Sequence, residues 1–198
     1  MAELVSDAQP QQPALFLDRD GVINHDPGWI ASPNDLIVYP FAGEAIAIAN
    51  KAGFAVIVVS NQSAVARGLA TLETIEAINQ EMAEELAQKG AHIDAFYVCP
   101  HHPDFSGPCG CRKPQTGLVD RAVEVHAIDR DRSYLVGDTT TDLLTGRNAG
   151  LRTILVRTGK GGRDGLYDIH PDVVCDNLLE AVTWILNDRN QNFDTRVV

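Results

Sequence analysis

The chain has 198 residues, 44% of them hydrophobic and 22% charged, with a net charge of −11; this is enough for one domain with a sizeable core. That acidity argues against a general nucleic-acid binder and against adhesion to anionic membranes, although local cations can still hold a phosphorylated substrate. No apolar run approaches the roughly 20 residues of a membrane span, and the opening M-A-E-L-V-S-D-A-Q-P-Q-Q lacks the basic start and apolar stretch of a signal peptide. The expectation is a cytoplasmic monomer.

Residues 1–12 read as a disordered tail and 191–198 as a second one, with a single domain, 13–190, between them. The first apolar run, Ala14 to Leu17, is short and bounded by turn residues, as a buried parallel strand is. It ends in two carboxylates one residue apart, Asp18 and Asp20, followed by Gly21. Residues 24–40 form a loop rich in Pro, Gly and Asn. Gly43 to Lys51 is helical by spacing, with Gly53 closing it. Phe54 to Val59 is the most hydrophobic run and predicts a central strand, which gives way to Ser60-Asn61-Gln62-Ser63. Thr71 to Lys89 carries Leu72, Ile75, Ile78, Met82 and Leu86 on one helical face and stops at Gly90. Ile93 to Val98 predicts a third strand running into Cys99. Residues 99–114 form an irregular loop of Pro, Gly, Cys and His. A helix over 117–127, a strand over 133–136 ending in Gly137-Asp138, a helix over 140–149 and a strand over 152–156 follow. An edge strand near 172–174 and a last helix over 177–186 complete the chain. Strands and helices alternate, so the expected fold is α/β, a three-layer, doubly wound, Rossmann-like parallel sheet.

In such a sheet ligands bind beyond the carboxyl ends of the strands. Four of those ends carry polar groups here: Asp18 with Asp20, Ser60 with Asn61, Cys99, and Asp138. Alternate residues of an extended segment share a face, so Asp18 and Asp20 can address one metal or one substrate. A lone D-x-D is also what a solvated strand end looks like; the other three ends change its meaning. With Arg112 and Lys113 arriving from the loop after the third strand, the set fits Mg2+-dependent phosphoryl transfer, since Mg2+ prefers a few carboxylates plus substrate phosphate. The second constellation is C-P-H-H-P-D-F-S-G-P-C-G-C. Cys99, Cys109, Cys111 and one of His101 or His102 offer a tetrahedral Zn2+ site, structural because four protein ligands leave no open position. Three of the four cysteines in so short a stretch suggest metal rather than disulfides and hence a reducing compartment. Cys175 stands apart and reads as a small buried hydrophobe.

D-R-D-G-V-I-N, S-N-Q-S, R-K-P and G-D-T-T-T-D occur in the order of the four motifs of the haloacid dehalogenase-like phosphatases, and residues 14–160 resemble that superfamily. The resemblance implies that Asp18 attacks phosphorus to form an aspartyl-phosphate. Asp20 then acts as the proton donor and later the base. Asp18, the backbone carbonyl of Asp20 and Asp138 hold Mg2+, Ser60 and Asn61 grip phosphate, and Lys113 offsets developing charge. Asp142 supports the metal site by hydrogen bonds or serves only as a helix-N-terminal acid. Neither gap between motifs has room for a separate cap domain, so the site should be open.

Within the superfamily, L-D-R-D-G-V-I-N, S-N-Q-S-A-V-A-R-G, C-P-H-H-P, C-R-K-P and L-V-R-T-G-K resemble the heptose-1,7-bisphosphate 7-phosphatases, whose metal-loop pattern favours His101 over His102. This implies removal of the 7-phosphate of D-glycero-D-manno-heptose 1,7-bisphosphate, in nucleotide-heptose synthesis. It also implies sugar-phosphate contacts from Asp26, Gly28, Trp29, Ser60, Asn61, Gln62, Ser63, Arg112 and Lys113. Trp29 either stacks on the sugar or packs on its own loop. Ala64 stands where that family usually has Gly, and Thr139 where it often has Lys. Histidinol-phosphate phosphatases share the metal loop and form the alternative enzyme reading; a non-catalytic zinc-loop binding module is the alternative outside enzymes.

Overall fold

A computed structural model describes residues 11–194 of the chain. Six strands, β1 Ala14–Leu17, β2 Ala55–Asn61, β3 Ala95–Cys99, β4 Tyr134–Gly137, β5 Arg152–Val156 and β6 Val173–Cys175, form one sheet in the order β3-β2-β1-β4-β5-β6. Every ladder is parallel. The helices are α1 Ala42–Lys51, α2 Leu72–Ala87, α3 Pro103–Ser106, α4 Gly117–His126, α5 Thr140–Asn148 and α6 Leu178–Asp194. The short β1 is fully buried because both of its faces are covered. Leu15 and Leu17 pack into a core with α1, α2 and α6, while Ala14 and Phe16 pack with α4 on the opposite side. Each alternate apolar residue therefore loses its water to a different layer, which is why the strand reads as continuous rather than alternating hydrophobicity.

The topology decides where a ligand binds. After β1 the chain winds outward through β2 and β3, then returns to β4 on the other side of β1 and winds out to β6. The strand order reverses between β1 and β4, and a crevice opens beyond their carboxyl ends. A 3-10 turn at Pro33–Asp35 and α1 connect β1 to β2, and α2 alone connects β2 to β3, so among the described residues no cap domain interrupts the motifs, as expected.

Several boundaries differ from the sequence pattern, for physical reasons. β2 runs on through Ser60 and Asn61, because their backbones pair with Val98 and Cys99 although the side chains are polar. β3 starts at Ala95 rather than Ile93: the Asp94 carboxylate, not its strand backbone, meets the Val56 N–H at 2.7 Å. The cysteine loop contains α3, which periodicity could not show in four residues; His102 Nδ1 accepts from the Asp104 N–H at its start. At the termini, Gln12 N–H donates to Ala127 O, Gln12 O accepts from Asp129 N–H, and α6 extends to Asp194. Gln12 and residues 191–194, read as tails, thus carry regular backbone structure, since backbone pairing needs no apolar signal. The remaining tail residues, 1–10 and 195–198, lie outside the described residues. No described helix is long and apolar enough to cross a membrane.

Candidate active site

The crevice is a cleft of about 640 Å³ lined by Asp18, Asp20 and Asp138 at its floor. Asp26, Gly28 and Trp29 line one wall, and Arg112 and Lys113 another. β1 delivers Asp18 by ending in parallel with β4, and the Asp18 N–H donates to Val136 O at 3.0 Å. Asp18 Oδ1 accepts from the Arg19 N–H at 2.7 Å and lies 2.9 Å from Lys113 Nζ. Burial pushes the Asp18 carboxyl up to about 7; Lys113 opposes this, and Asp142 and Asp20 add to it. Burial and the Asp18 and Asp142 charges push Asp138 up to about 8. For Lys113, burial favours the neutral amine, but the charges of Asp142 and Asp18 prevail and hold it above the ordinary lysine range. Its ammonium is 2.6 Å from Asp142 Oδ1.

Carboxylate oxygens of Asp18, Asp138 and Asp142 lie within 4.8 Å of one another. Like charges so close in a buried site call for a cation. The backbone around them is shaped to leave them room. A Cβ on Gly21, which has φ +85°, would sit 2.5 Å from Asp138 Oδ2, and one on Gly159 would sit 2.2 Å from the same atom. Oxygen donors held apart from apolar contact in this way fit Mg2+. Asp142 is both things considered for it: it completes a capping box with Thr139 at the start of α5 and pairs with Lys113. In the three-carboxylate cluster it stands beside Asp18 and Asp138, whereas the Asp20 side chain lies outside.

Asp20 is held differently. The Arg19 guanidinium, 1% exposed, grips both of its oxygens at 3.1 Å, and its third nitrogen donates to Asn79 Oδ1 on α2. Asn24 Nδ2 and Gln62 Nε2 donate to Asp20 at 2.9 and 2.8 Å. Burial alone would raise the Asp20 pKa, but Arg19 and these amides outweigh it and hold the carboxyl below its ordinary range.

The S-N-Q-S stretch divides its labour. Ser60 and Ser63 line the region around the cleft. The Asn61 side chain is committed to the Lys113 backbone, accepting from its N–H at 3.0 Å and donating to its carbonyl at 3.1 Å. Gln62, expected to meet substrate, is buried instead: its amide orients Asp20 and Ser60 Oγ, the latter at 2.7 Å. Both amides look like ligand-binding groups in sequence because an amide donor carries no mark of what it will face. Ala64 is buried, and Thr139 is the N-cap of α5.

The cysteine loop folds back beside β3. Cys99, His101, Cys109 and Cys111 converge, with Sγ···Sγ distances of 3.3 to 3.7 Å and His101 Nδ1 3.4 and 3.7 Å from Cys111 and Cys99 Sγ. A tetrahedron with Zn–S of about 2.3 Å has edges of about 3.8 Å, so the donor set is compatible with Zn2+. Burial pushes the Cys99 thiol up to about 12, which a bound cation would reverse by taking the thiolate. His102 faces away, its Nε2 3.2 Å from an Arg67 guanidinium nitrogen. Arg112 donates to His101 O at 3.0 Å, so the last two residues before Pro114 are carried by this cluster into the cleft. Cys175 is buried in the main core.

Sequence reading used Arg157-Thr158-Gly159-Lys160 only as part of the resemblance and assigned the segment after β5 no contact with the site. The Lys160 N–H donates to Asp138 Oδ2 at 2.7 Å and the Gly162 N–H to Asp138 O at 2.7 Å. Lys160 Nζ reaches to 3.8 Å from Asp26 Oδ2. Asp164 caps Thr140 through both its N–H and its hydroxyl, and Leu166 and Tyr167 join the cleft wall. The glycines of Gly159-Lys160-Gly161-Gly162 were the available signal. Nothing in sequence marked the buried Arg19.

The HAD-hydrolase-like family model matches residues 110–181. A D-glycero-D-manno-heptose-1,7-bisphosphate 7-phosphatase of Chlorobaculum tepidum is 40% identical over 182 residues, covering 85% of this chain and 92% of that protein. The D-glycero-beta-D-manno-heptose-1,7-bisphosphate 7-phosphatase of Escherichia coli K12 is 37% identical over 181 residues, 88% of each. Among solved structures, the D,D-heptose 1,7-bisphosphate phosphatase from B. bronchiseptica, complexed with magnesium and phosphate, superposes with a TM-score of 0.80. It is 35% identical and covers 89% of this chain and 99% of that one.

Proposed function

The chain belongs to the D-glycero-D-manno-heptose-1,7-bisphosphate 7-phosphatase family of haloacid dehalogenase-like hydrolases, and we propose that it removes the 7-phosphate of that heptose bisphosphate with Asp18 as nucleophile. The observation that carries the reading is the pairing of Asp18 with the Lys113 ammonium at the floor of an open cleft, with the separately held Asp20 beside it. The Arg19 N–H and the Lys113 ammonium both meet Asp18 at Oδ1; among the described residues no hydrogen-bond donor reaches Oδ2, which is left to attack phosphorus.

An Asp18 oxygen bonds to phosphorus as the bond to the sugar oxygen breaks, and that oxygen takes a proton from Asp20. Water then attacks the aspartyl-phosphate, giving its proton to Asp20 and releasing inorganic phosphate and free Asp18. Arg19, Asn24 and Gln62 prepare Asp20 as the base of the second step. For the first step, a phosphate dianion arriving beside Asp20 adds negative charge and raises its affinity for the proton. Lys113 neutralises charge on the attacking carboxylate, and Ser60 with the backbone around Asn61 receives phosphate oxygens. Asp18, Asp138 and the Asp20 carbonyl would hold Mg2+, with Asp142 and Lys113 completing the charge balance. Mg2+ when bound supplies Lewis-acid polarisation of the phosphoryl group and screens it from the carboxylates. Cys99, His101, Cys109 and Cys111 would hold Zn2+ as a structural ion. The sugar body and its second phosphate extend toward Arg112 and the Asp26–Trp29 wall, where Lys160 adds a cation.

The test is steady-state phosphate release from D-glycero-D-manno-heptose 1,7-bisphosphate with Mg2+, with phosphorus NMR to identify which ester is lost. Loss of the 7-phosphate by wild type and none by Asp18→Asn is expected; wild type that leaves the substrate intact, or prefers histidinol phosphate, overturns the reading.

A further inference from the structure

The rim of the cleft contains a contact that the chemistry of the floor does not use. Arg67 lies in the turn after β2 and its guanidinium lies over two aromatic rings from different loops. Its Cζ is 4.5 Å from the Phe105 ring centroid and 5.5 Å from that of Trp29. Trp29 belongs to the wall formed after β1, and Phe105 to α3 in the cysteine loop. Both residues are about half exposed, at 55% and 54%, so each ring meets water as well as Arg67. One guanidinium nitrogen is 3.2 Å from His102 Nε2, and the Ala66 N–H donates to Pro100 O at 3.1 Å, fastening the same turn to the cysteine loop. Arg67 Nε is buried without a hydrogen-bond partner. A guanidinium placed chiefly by hydrogen bonding would satisfy that donor; here Arg67 is placed over two aromatic rings, Phe105 at 4.5 Å and Trp29 at 5.5 Å.

We propose that Arg67 is a specificity-determining positioning residue, a clasp that joins the Trp29 wall to the α3 wall and so fixes the width of the cleft mouth. The inference rests on the sugar-bisphosphatase reading. Arg67 lines no part of the cleft floor and touches neither Asp18 nor Asp20. A substrate consisting of little more than the transferred phosphate is bound by the floor alone. A substrate with a seven-carbon body and a second phosphate must lie between the walls, and only such a substrate feels whether Trp29 is held. Lysine cannot replace arginine here, because an ammonium has no planar face with which to stack on either ring.

The experiment compares Arg67→Met, Arg67→Lys and Phe105→Ala with wild type on two substrates, heptose 1,7-bisphosphate and p-nitrophenyl phosphate. Each variant is expected to raise KM for the bisphosphate about 5- to 30-fold, the range of one to two lost cation–π contacts, with kcat held within about 2-fold. Kinetics on p-nitrophenyl phosphate should be nearly unaffected. In a Trp184→Phe background, which leaves Trp29 as the sole tryptophan, Arg67→Met should make Trp29 fluorescence more readily quenched by acrylamide. An unchanged bisphosphate KM, an equal loss on both substrates, rescue by lysine, or unchanged quenching overturns the clasp. Wild type showing no preference for the bisphosphate overturns the functional reading and the specificity role together, and is told apart from failure of Arg67 alone by the wild-type kinetics.

Discussion

The two clusters that can hold a metal ion are built on opposite principles. Asp18, Asp138 and Asp142 are carried by strand ends and a helix start, and the sheet presses them together whether or not a cation is there to neutralise them. Glycines at 21 and 159 make the space, and Lys113 is wedged between Asp18 and Asp142. Cys99 alone among the clustered thiols sits on a strand; His101, Cys109 and Cys111 hang on a loop whose only regular structure is the four residues of α3. In the first cluster the fold makes the site and the ion relieves it. In the second the ion would make the loop, because so short a stretch has little apolar surface with which to order itself. The two are joined through Arg112 and Lys113, but Lys113 is also fixed from the sheet side by Asn61, so the catalytic floor does not depend on the loop alone.

That contrast predicts which losses fall on chemistry and which on stability. The largest effect is Asp18→Asn: turnover should vanish while the melting temperature stays level or rises, because a neutral amide removes one buried like charge. Phosphate release and a thermal melt on the same sample check both halves, and a variant that loses its fold would show Asp18 to be structural. Asp20→Asn should cost about 10²- to 10⁴-fold in kcat, but with the opposite sign on stability. It strands the buried Arg19 guanidinium without its carboxylate, a change worth roughly 3 kcal/mol or more. A Asp20→Asn melt matching wild type would mean that Arg19 is satisfied by Asn79 alone.

The second cluster responds the other way round. Elemental analysis should find one zinc per chain, and Cys109→Ser should release it, lower the melting temperature and reduce kcat/KM by roughly tenfold or more. Withdrawing Mg2+ with zinc left in place should abolish turnover and lower the melt by less than zinc loss does, and hardly at all near pH 5, where protons stand in for the cation. If both withdrawals destabilise equally, the distinction between a fold-made and an ion-made site is wrong.

How much of this could be read from sequence follows from the same distinction. The strand ends were legible because the crevice gathers whatever ends the buried runs; Asp18, Asp138, Ser60 and Lys113 meet where alternation of strands and helices puts them. The cysteine cluster was legible by spacing, and His101 rather than His102 lies with the thiols. What was not legible is partner choice among equivalent donors. Asn61 and Gln62 carry the same amide chemistry, yet one holds a backbone and the other a carboxylate, and the choice is made by where β3 and the cysteine loop pass. Arg19 is one of the most deeply buried side chains in the molecule, and a charge is the last residue that hydropathy would place there. The role of the Lys160 segment, quoted only for its resemblance, was hidden for a related reason: it holds Asp138 by backbone N–H groups, which every residue but proline has.

The smallest effect sharpens the comparison most, because it reads the crowded acids without any chemistry. In magnesium-free protein Asp18 titrates near 7 and Asp138 near 8, against an ordinary value of 3.8. Between about pH 4 and 8 the folded protein therefore binds more protons than the unfolded chain, and stability must fall as pH rises through that window. Asp20, held low, acts in the opposite sense: its contribution is present above the ordinary aspartate range and is lost as pH falls through its depressed value. The metal-free melting temperature should thus decline by a few degrees or more from about pH 5 to 8. Mg2+ takes the place of the protons, so its addition should flatten the slope and stabilise more at pH 8 than at pH 5. Asp138→Asn removes one of the two raised groups while fitting the space left by Gly21 and Gly159, and should weaken the slope without magnesium. A melt that rises toward pH 8 in the absence of Mg2+ would mean that Lys113 already balances the cluster, and that the fold tolerates the three carboxylates with no cation of their own.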